Sequence, residues 1–270
     1  CPPLVLFSLT SVGIAANELG GAGGAFAVLI ITIVASELGK AVSKETKLDI
    51  LVTPIVTICS GILLAMVIAG PIGKGASAVG SLIMYATTLH PFLMGIIVSV
   101  IVGIALTLPI SSAAICAGLS LTGLAGGAAL AGCCAQMVGF AVMSFKENRW
   151  GGLLAQGLGT SMLQMGNIVK NPKVWIAPII ASAIVGPIST CIFGIEMNGA
   201  PVSSGMGTCG LVGQIGTYTG WVADGVASSP FLWIGMILTH FILPAIICWA
   251  LGKVFRKIGW IKENDLKLDL

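Results

Sequence analysis

Three carboxylates in this chain, Glu18, Glu196 and Asp224, stand beside apolar runs broken by glycine. The segment around the second, residues 193–210 (FGIEMNGAPVSSGMGTCG), sets Glu196 two places before Asn198 and adds five glycines and a proline. A carboxylate accepts hydrogen bonds and an amide both donates and accepts, so such a pair can hold the hydroxyls of a small polar solute. A charge at the depth of a bilayer costs a few kcal/mol unless it faces water or a partner. Irregular backbone survives there only when protein buries it or a water-filled cavity lies alongside. Glu196 and Asn198 are therefore the first candidates for a substrate or ion site, and Glu18 with its neighbour Asn17 is the second. Asp224, flanked by Trp221 and Ser228, reads as a loop end at a membrane interface, where tryptophan concentrates.

A second polar run, Gly157, Leu158, Gly159, Thr160 and Ser161, has Gln156, Gln164 and Asn167 nearby. Backbone donors and amides in a short apolar context could hold sugar hydroxyls, or an anion at a half-helix end, which makes Gly159, Thr160 and Gln164 candidate contacts. Close packing through small residues explains the same run equally well, as it does Gly20xxxGly24, Gly123xxxGly127 and Gly216xxxGly220. Gln136 and Gln214 could join a polar lining. His90 precedes Pro91 at a helix start, while His240 lies inside an apolar run near Pro244. Imidazole titrates near neutrality, so either could relay a proton or carry phosphate; a helix-end residue and an interhelical hydrogen bond are the plainer readings. His240 is kept as a substrate contact.

The other acids, Glu37, Glu45, Asp49, Glu147, Glu263, Asp265 and Asp269, read as solvated. Eight cysteines form no CxxC pair and no Cys/His metal spacing. Most lie in apolar runs, where a free thiol packs as a small hydrophobe. No metal, no cofactor and no catalytic residue is expected. Cys1, followed by Pro2 and Pro3, suits either a lipid-modified start or a truncated one.

What must position these residues is a set of membrane helices. Of 270 residues 56% are hydrophobic and 9% charged, against about 25% charged in an ordinary soluble domain. Mean hydropathy is +1.05. Residues 49–70, 91–110, 123–142, 174–195 and 230–252 each approach or exceed the roughly 20 residues that span a bilayer. The fold class is all-α and polytopic, with about 7–10 transmembrane or re-entrant segments. Residues 4–16 and 25–36 are each short of a span, which suggests a broken helix or re-entrant hairpin. One transmembrane domain over 1–252 precedes a tail, 253–270.

The formal net charge of +3 is scattered over loops and tail, so it points to topology and not to nucleic acid. Lys40, Lys44 and Lys47, Lys170 and Lys173, and the tail read as cytoplasmic by the positive-inside rule. The middle stays open. If residues 76–89 cross, the loop with Lys146, Glu147 and Arg149 is cytoplasmic and 151–166 is re-entrant; if not, that loop is external and 151–166 spans. Thr53-Pro54 and Pro91-Phe92 recur as Ala177-Pro178 and Pro230-Phe231, which suggests repeat halves 49–110 and 174–252.

The stretches LDILVTPIVTI (48–58), LTLPISSAAIC (106–116), CCAQMVGFAVMSFKEN (133–148), AQGLGTSMLQMGNIVKNPKVWIAPIIAS (155–182) and SGMGTCGLVGQ (204–214) together resemble the EIIC-like membrane family. That family includes the perfringolysin-regulator type and sugar permease subunits IIC of the phosphotransferase system. The resemblance implies a multi-pass permease of the bacterial inner membrane, moving a sugar that a cytosolic partner phosphorylates. The phosphoryl donor would be a separate soluble IIB-type protein. Sugar-specific members carry a Gly-Ile-Thr-Glu motif whose Glu contacts the sugar. Here the nearest match is Gly194, Ile195, Glu196, without the threonine and with the Glu one place early. The expectation is a transporter of a small polar solute, embedded in lipid and assembled as a homo-oligomer. The alternatives are a membrane sensor that signals to a regulatory partner without net transport, and a passive channel.

Overall fold

The computed structural model describes residues 2–21, 24–45 and 49–268. Cys1, Lys47 and Asp269, each invoked above, lie outside the described residues. Contacts divide the chain into two units, 1–79 with 109–111 and 80–108 with 112–270.

In the first unit α1 (Pro3–Gly20) and α2 (Gly24–Val42) have 18 and 19 residues, both longer than the short segments expected from the polar interruption. Asn17 and Glu18 do not stop α1, because both are exposed and need no partner inside the unit. The break comes at Gly21, with φ +50°. Then α3 (Asp49–Leu64) passes through a π-helical turn, Ala65–Ala69, into α4 (Gly70–Thr87), of which residues 80–87 are counted with the second unit. Val12, Ala16, Ala27, Ile31, Ala35, Ala65 and Ala69 form the core of this unit.

The second unit is built around α7 (Gly123–Met143), whose residues 126–137 are all buried. A helix apolar on every side belongs in the middle of a bundle. Around it stand α5 (Pro91–Thr107), α10 (Ile176–Pro187) and α13 (Leu243–Lys257), the last preceded by α12 (Pro230–Ile237) and a π turn, Leu238–Ile242. Lipid tails are as apolar as leucine, so such helices associate by close packing. A Cβ on Gly132 would collide with the Ser99 carbonyl of α5, and one on Gly186 with the Gly95 carbonyl. Ser99 Oγ donates to the Ser182 carbonyl of α10 at 2.8 Å and Ser182 Oγ to the Gly132 carbonyl of α7 at 3.2 Å, which together tie the three helices.

Two interrupted hairpins enter this bundle from opposite ends of α7. After α10 a π turn, Ile188–Phe193, ends at Gly194 with φ +58°, a left-handed conformation that favours glycine. The chain then runs extended, pairs Met197 with Gly123 in an antiparallel bridge, and descends beside α7 through a 3₁₀ turn, Pro201–Gly205. It returns as α11 (Val212–Ala223). A short helix, α6 (Ser112–Gly118), packs on that turn: Ser112 Oγ donates to the Gly205 carbonyl at 2.8 Å and Ser204 Oγ to the Leu121 carbonyl at 2.7 Å. From the other end, α8 (Phe145–Leu154) leads into a π turn, Ala155–Gly159, then a 3₁₀ turn, Ser161–Gln164, and back through α9 (Met165–Lys170).

Both arms of this second hairpin are tied to the C-terminal segment. Asn148 Nδ2 and Gln164 Nε2 donate to the Leu266 carbonyl at 2.7 and 3.0 Å, and Asn167 Nδ2 to that of Lys267 at 2.9 Å. Residues 146–149, the 170–173 loop and the tail therefore share one end of the second unit, and 151–166 turns back within that unit instead of running through it. The tail is not a loose extension. Beyond α13 it folds back, and Ile261 and Leu266 bury against Phe140, Met143, Ile168 and Val174.

Among the described residues five helices are long and apolar enough to cross a membrane: Pro3–Gly20, Asp49–Gly75, Gly123–Met143, Pro172–Phe193 and Pro230–Lys257. α5 is shorter, with 17 residues. The chain is an all-α polytopic membrane protein. Of the suggested repeat halves, 49–110 is shared between the two units while 174–252 lies within the second.

Gly132→Ala should destabilise the protein by about 1–3 kcal/mol, the usual cost of overpacking a close contact. Gly166→Ala, at a position open to space, should leave the thermal unfolding midpoint in detergent unchanged, and the pair of variants compared in one unfolding assay checks both.

Candidate functional site

Polar groups in the second unit gather at three levels along α7, which at roughly 1.5 Å per residue is about 30 Å long. At its N-terminal end stands the acidic pair. Asn198 Nδ2 donates to Glu196 Oε2 at 3.0 Å and to Asp224 Oδ2 at 2.8 Å, while Asn198 Oδ1 accepts the Gly123 N–H at 3.0 Å. One amide thus joins two carboxylates and caps the first turn of α7, whose free N–H groups need acceptors. The extended backbone of 195–199 alternates its side chains, so Ile195 and Met197 are buried while Glu196 and Asn198 are exposed. Gly199 and Gly220 let this strand lie on α11, since a Cβ on either would meet backbone there. Asp224, read from sequence as a loop end, does cap the end of α11; its place beside Asn198 comes from the return of the hairpin, a long-range consequence that local composition does not carry.

At the middle level the two hairpin tips touch. Thr208 Oγ1 donates to the Gly157 carbonyl at 2.5 Å. Around this junction runs a buried polar chain: Ser161 Oγ lies 2.9 Å from Thr107 Oγ1, which lies 3.3 Å from Gln136 Oε1. Trp175 Nε1 donates to the same oxygen at 2.9 Å, and Gln136 Nε2 donates to Ser182 Oγ at 3.3 Å. Thr160 has an extended backbone, and its Oγ1 accepts the Met162 N–H at 3.1 Å to cap the 3₁₀ turn. Gly159 is half-buried, with open space where a Cβ would be. Gln164 lies a turn further on, donating to Gln156 Oε1 at 2.9 Å as well as to the tail. Thr107, Ser182 and Trp175 were not singled out in the sequence, because isolated Ser, Thr and Trp in apolar runs have several ordinary uses.

Beside this level His240 is buried in the π turn of 238–242, with Nδ1 3.3 Å from Gln214 Nε2. An amide N–H can only donate, which makes Nδ1 the acceptor and assigns the proton to Nε2. Among the described residues Nε2, Gln214 Oε1 and Ser189 Oγ have no hydrogen-bond partner despite full burial. Buried polar groups normally have one, so these three are open valences inside the bundle. His90, by contrast, is exposed at the N-terminal cap of α5. Asn17 and Glu18 belong to the first unit, exposed near the end of α1.

The C-terminal end of α7 is basic. Arg256 Nη1 and Nη2 clasp Glu147 at 2.6 and 3.1 Å, the two-pronged geometry guanidinium favours. Lys146 pairs with Glu263 at 3.0 Å and holds that carboxyl below its ordinary range by hydrogen bonding and charge. Among the described residues no three His, Cys, Asp or Glu converge as a metal site. The chemistry on offer is hydrogen bonding: carboxylates at one end, a polar junction in the middle, cations at the other.

The family described as "Phosphotransferase system, EIIC" matches residues 1–268. No curated protein and no solved structure matches the chain.

Gln136→Leu should cost about 1–3 kcal/mol by leaving the Trp175 indole N–H without its acceptor. Differential scanning fluorimetry should show an earlier unfolding transition than wild type.

Proposed function

The chain belongs to the phosphotransferase-system EIIC family, and from that premise we propose that it is the permease component for a small polar solute, a sugar, whose path follows the two interrupted hairpins. The observation that carries this reading is the meeting of their tips at Thr208 and Gly157. Transporters bind near the midplane where helices are discontinuous, since unwound backbone offers donors and acceptors that a regular helix consumes.

In this reading Glu196 and Asp224 accept hydroxyl hydrogen bonds at one mouth, and Asn198 holds the two carboxylates apart and oriented. Parting of the hairpin tips frees the Gly157 carbonyl and Thr208 hydroxyl for the solute, with Gly159 and Thr160 leaving room beside them. The open valences of His240, Gln214 and Ser189 suit the same hydroxyls. Gln164 anchors the tail and supports the hairpin from behind.

The end bearing Lys146, Arg149, Lys170, Lys173 and the tail faces the cytoplasm by the positive-inside rule, which puts Glu196 toward the exterior of a bacterial inner membrane. Phosphoryl transfer is the work of a separate soluble IIB-type protein meeting the solute at the basic end. The chain supplies binding, orientation and exclusion of lipid.

A panel of sugars tested by calorimetry against purified protein identifies the ligand. Glu196→Gln should then weaken binding about 10- to 100-fold, the equivalent of a charge-assisted hydrogen bond of about 1.5–3 kcal/mol. Unchanged affinity would remove Glu196 from the site. Saturable binding without flux into proteoliposomes would replace the permease with a sensor.

A further inference from the structure

We propose that the cleft between the C-terminal end of α7 and the last turns of α13 binds an anionic phospholipid of the surrounding membrane. The cleft has a volume of about 350 Å³ and four cationic side chains in its lining, Lys146, Arg149, Lys253 and Arg256, with no carboxylate among the described lining residues. Its walls are otherwise carbon, from Val142, Phe145 and Trp249 among others. A pocket with that division of surface fits an amphiphile, with a phosphate at the cations and a chain along the apolar wall.

Two of the four charges are already spent. Glu147 neutralises Arg256 and Glu263 pairs with Lys146. Arg149 and Lys253 face no carboxylate in any ion pair among the described residues. Lys253 Nζ lies 3.7 Å from the centroid of the Trp249 ring, which holds the ammonium at the cleft wall while leaving its N–H donors available. Arg149 interrupts α8 with φ +52°, a backbone that side-chain-bearing residues rarely adopt and keep chiefly where the surroundings demand it. Guanidinium is the side chain best matched to phosphate oxygens.

Placement favours a lipid over a free anion. The apolar span Pro230–Lys257 ends at this cleft, and Ile246, Trp249 and Val254 on α13 are 51–56% exposed. An apolar exposed helix face is lipid-facing, tryptophan marks the headgroup level, and a basic pocket there meets phosphodiester groups continuously.

The test is thermal unfolding of the purified chain in a neutral detergent, titrated with phosphatidylglycerol, phosphatidylcholine or inorganic phosphate. Phosphatidylglycerol should raise the midpoint saturably; phosphatidylcholine and inorganic phosphate at equal concentration should not. Arg149→Ala with Lys253→Gln should raise the half-saturating phosphatidylglycerol concentration about 30-fold, the loss of two charge contacts. Lys170→Gln with Lys262→Gln, equal in charge and outside the cleft lining, should leave it unchanged. The proposal is overturned by an equal response to phosphatidylcholine, by inorganic phosphate reproducing the rise, or by the two double variants behaving alike. Should the cleft variant fail to fold, lipid retained through detergent exchange decides the matter by mass spectrometry. Wild type should retain phosphatidylglycerol and Lys253→Gln should lose it; equal retention, or none in wild type, overturns the proposal.

Discussion

Close approach of backbones at α7 is the constraint on which the second unit depends. Without water, neither a hydrophobic driving force nor a solvated carbonyl is available between helices, so contact has to come from small residues. Gly132 against Ser99, Gly186 against Gly95 and Gly127 against the Ile195 carbonyl bring three interfaces to backbone distance. Only then can Ser99 and Ser182 reach across between helices, since their side chains are one heavy atom beyond Cβ. The polar chain through Gln136 exists because the helices that carry it are this near.

The interrupted segments obey the same requirement from the other side. Every N–H and carbonyl released by a break must find a partner inside protein. Met197 exchanges two backbone hydrogen bonds with Gly123, Ser112 and Ser204 bind carbonyls across the α6 contact, and Thr208 takes that of Gly157. These bonds are also what would have to be exchanged for bonds to a solute. A hydroxyl-rich molecule is suited to that exchange, because it replaces one set of neutral hydrogen bonds with another at little net cost.

Charge is sorted along α7. Glu196 and Asp224, which have no cation in an ion pair among the described residues, stand at its N-terminal end, where the helix dipole favours acids, and bases gather at its C-terminal end, two of them paired with Glu147 and Glu263, where it favours cations. The basic end is also where the tail docks, so the residues that report topology and those that hold the fold together are partly the same. Arg256 shows both uses: its guanidinium bonds Glu147 and the Met143 carbonyl, tying α13 to the end of α7.

Several features were legible in the amino-acid order alone. Runs of about 20 apolar residues with little charge can only be buried in lipid or in each other, and the expected runs at 123–142, 174–195 and 230–252 fall on Gly123–Met143, Pro172–Phe193 and Pro230–Lys257. Glycine and proline break helices locally, so the interruptions near 21, 159 and 194 were visible as well, as was the family through its extended motifs. Tertiary structure decided which breaks meet. That Asp224 lies beside Asn198, that Thr208 reaches Gly157, that 151–166 turns back within the second unit, and that the tail is packed, all depend on contacts between residues from 26 to 120 apart in sequence. Hydropathy and helix propensity are properties of neighbours along the chain, whereas pairing of polar groups in a bundle is set by how closely its helices pack.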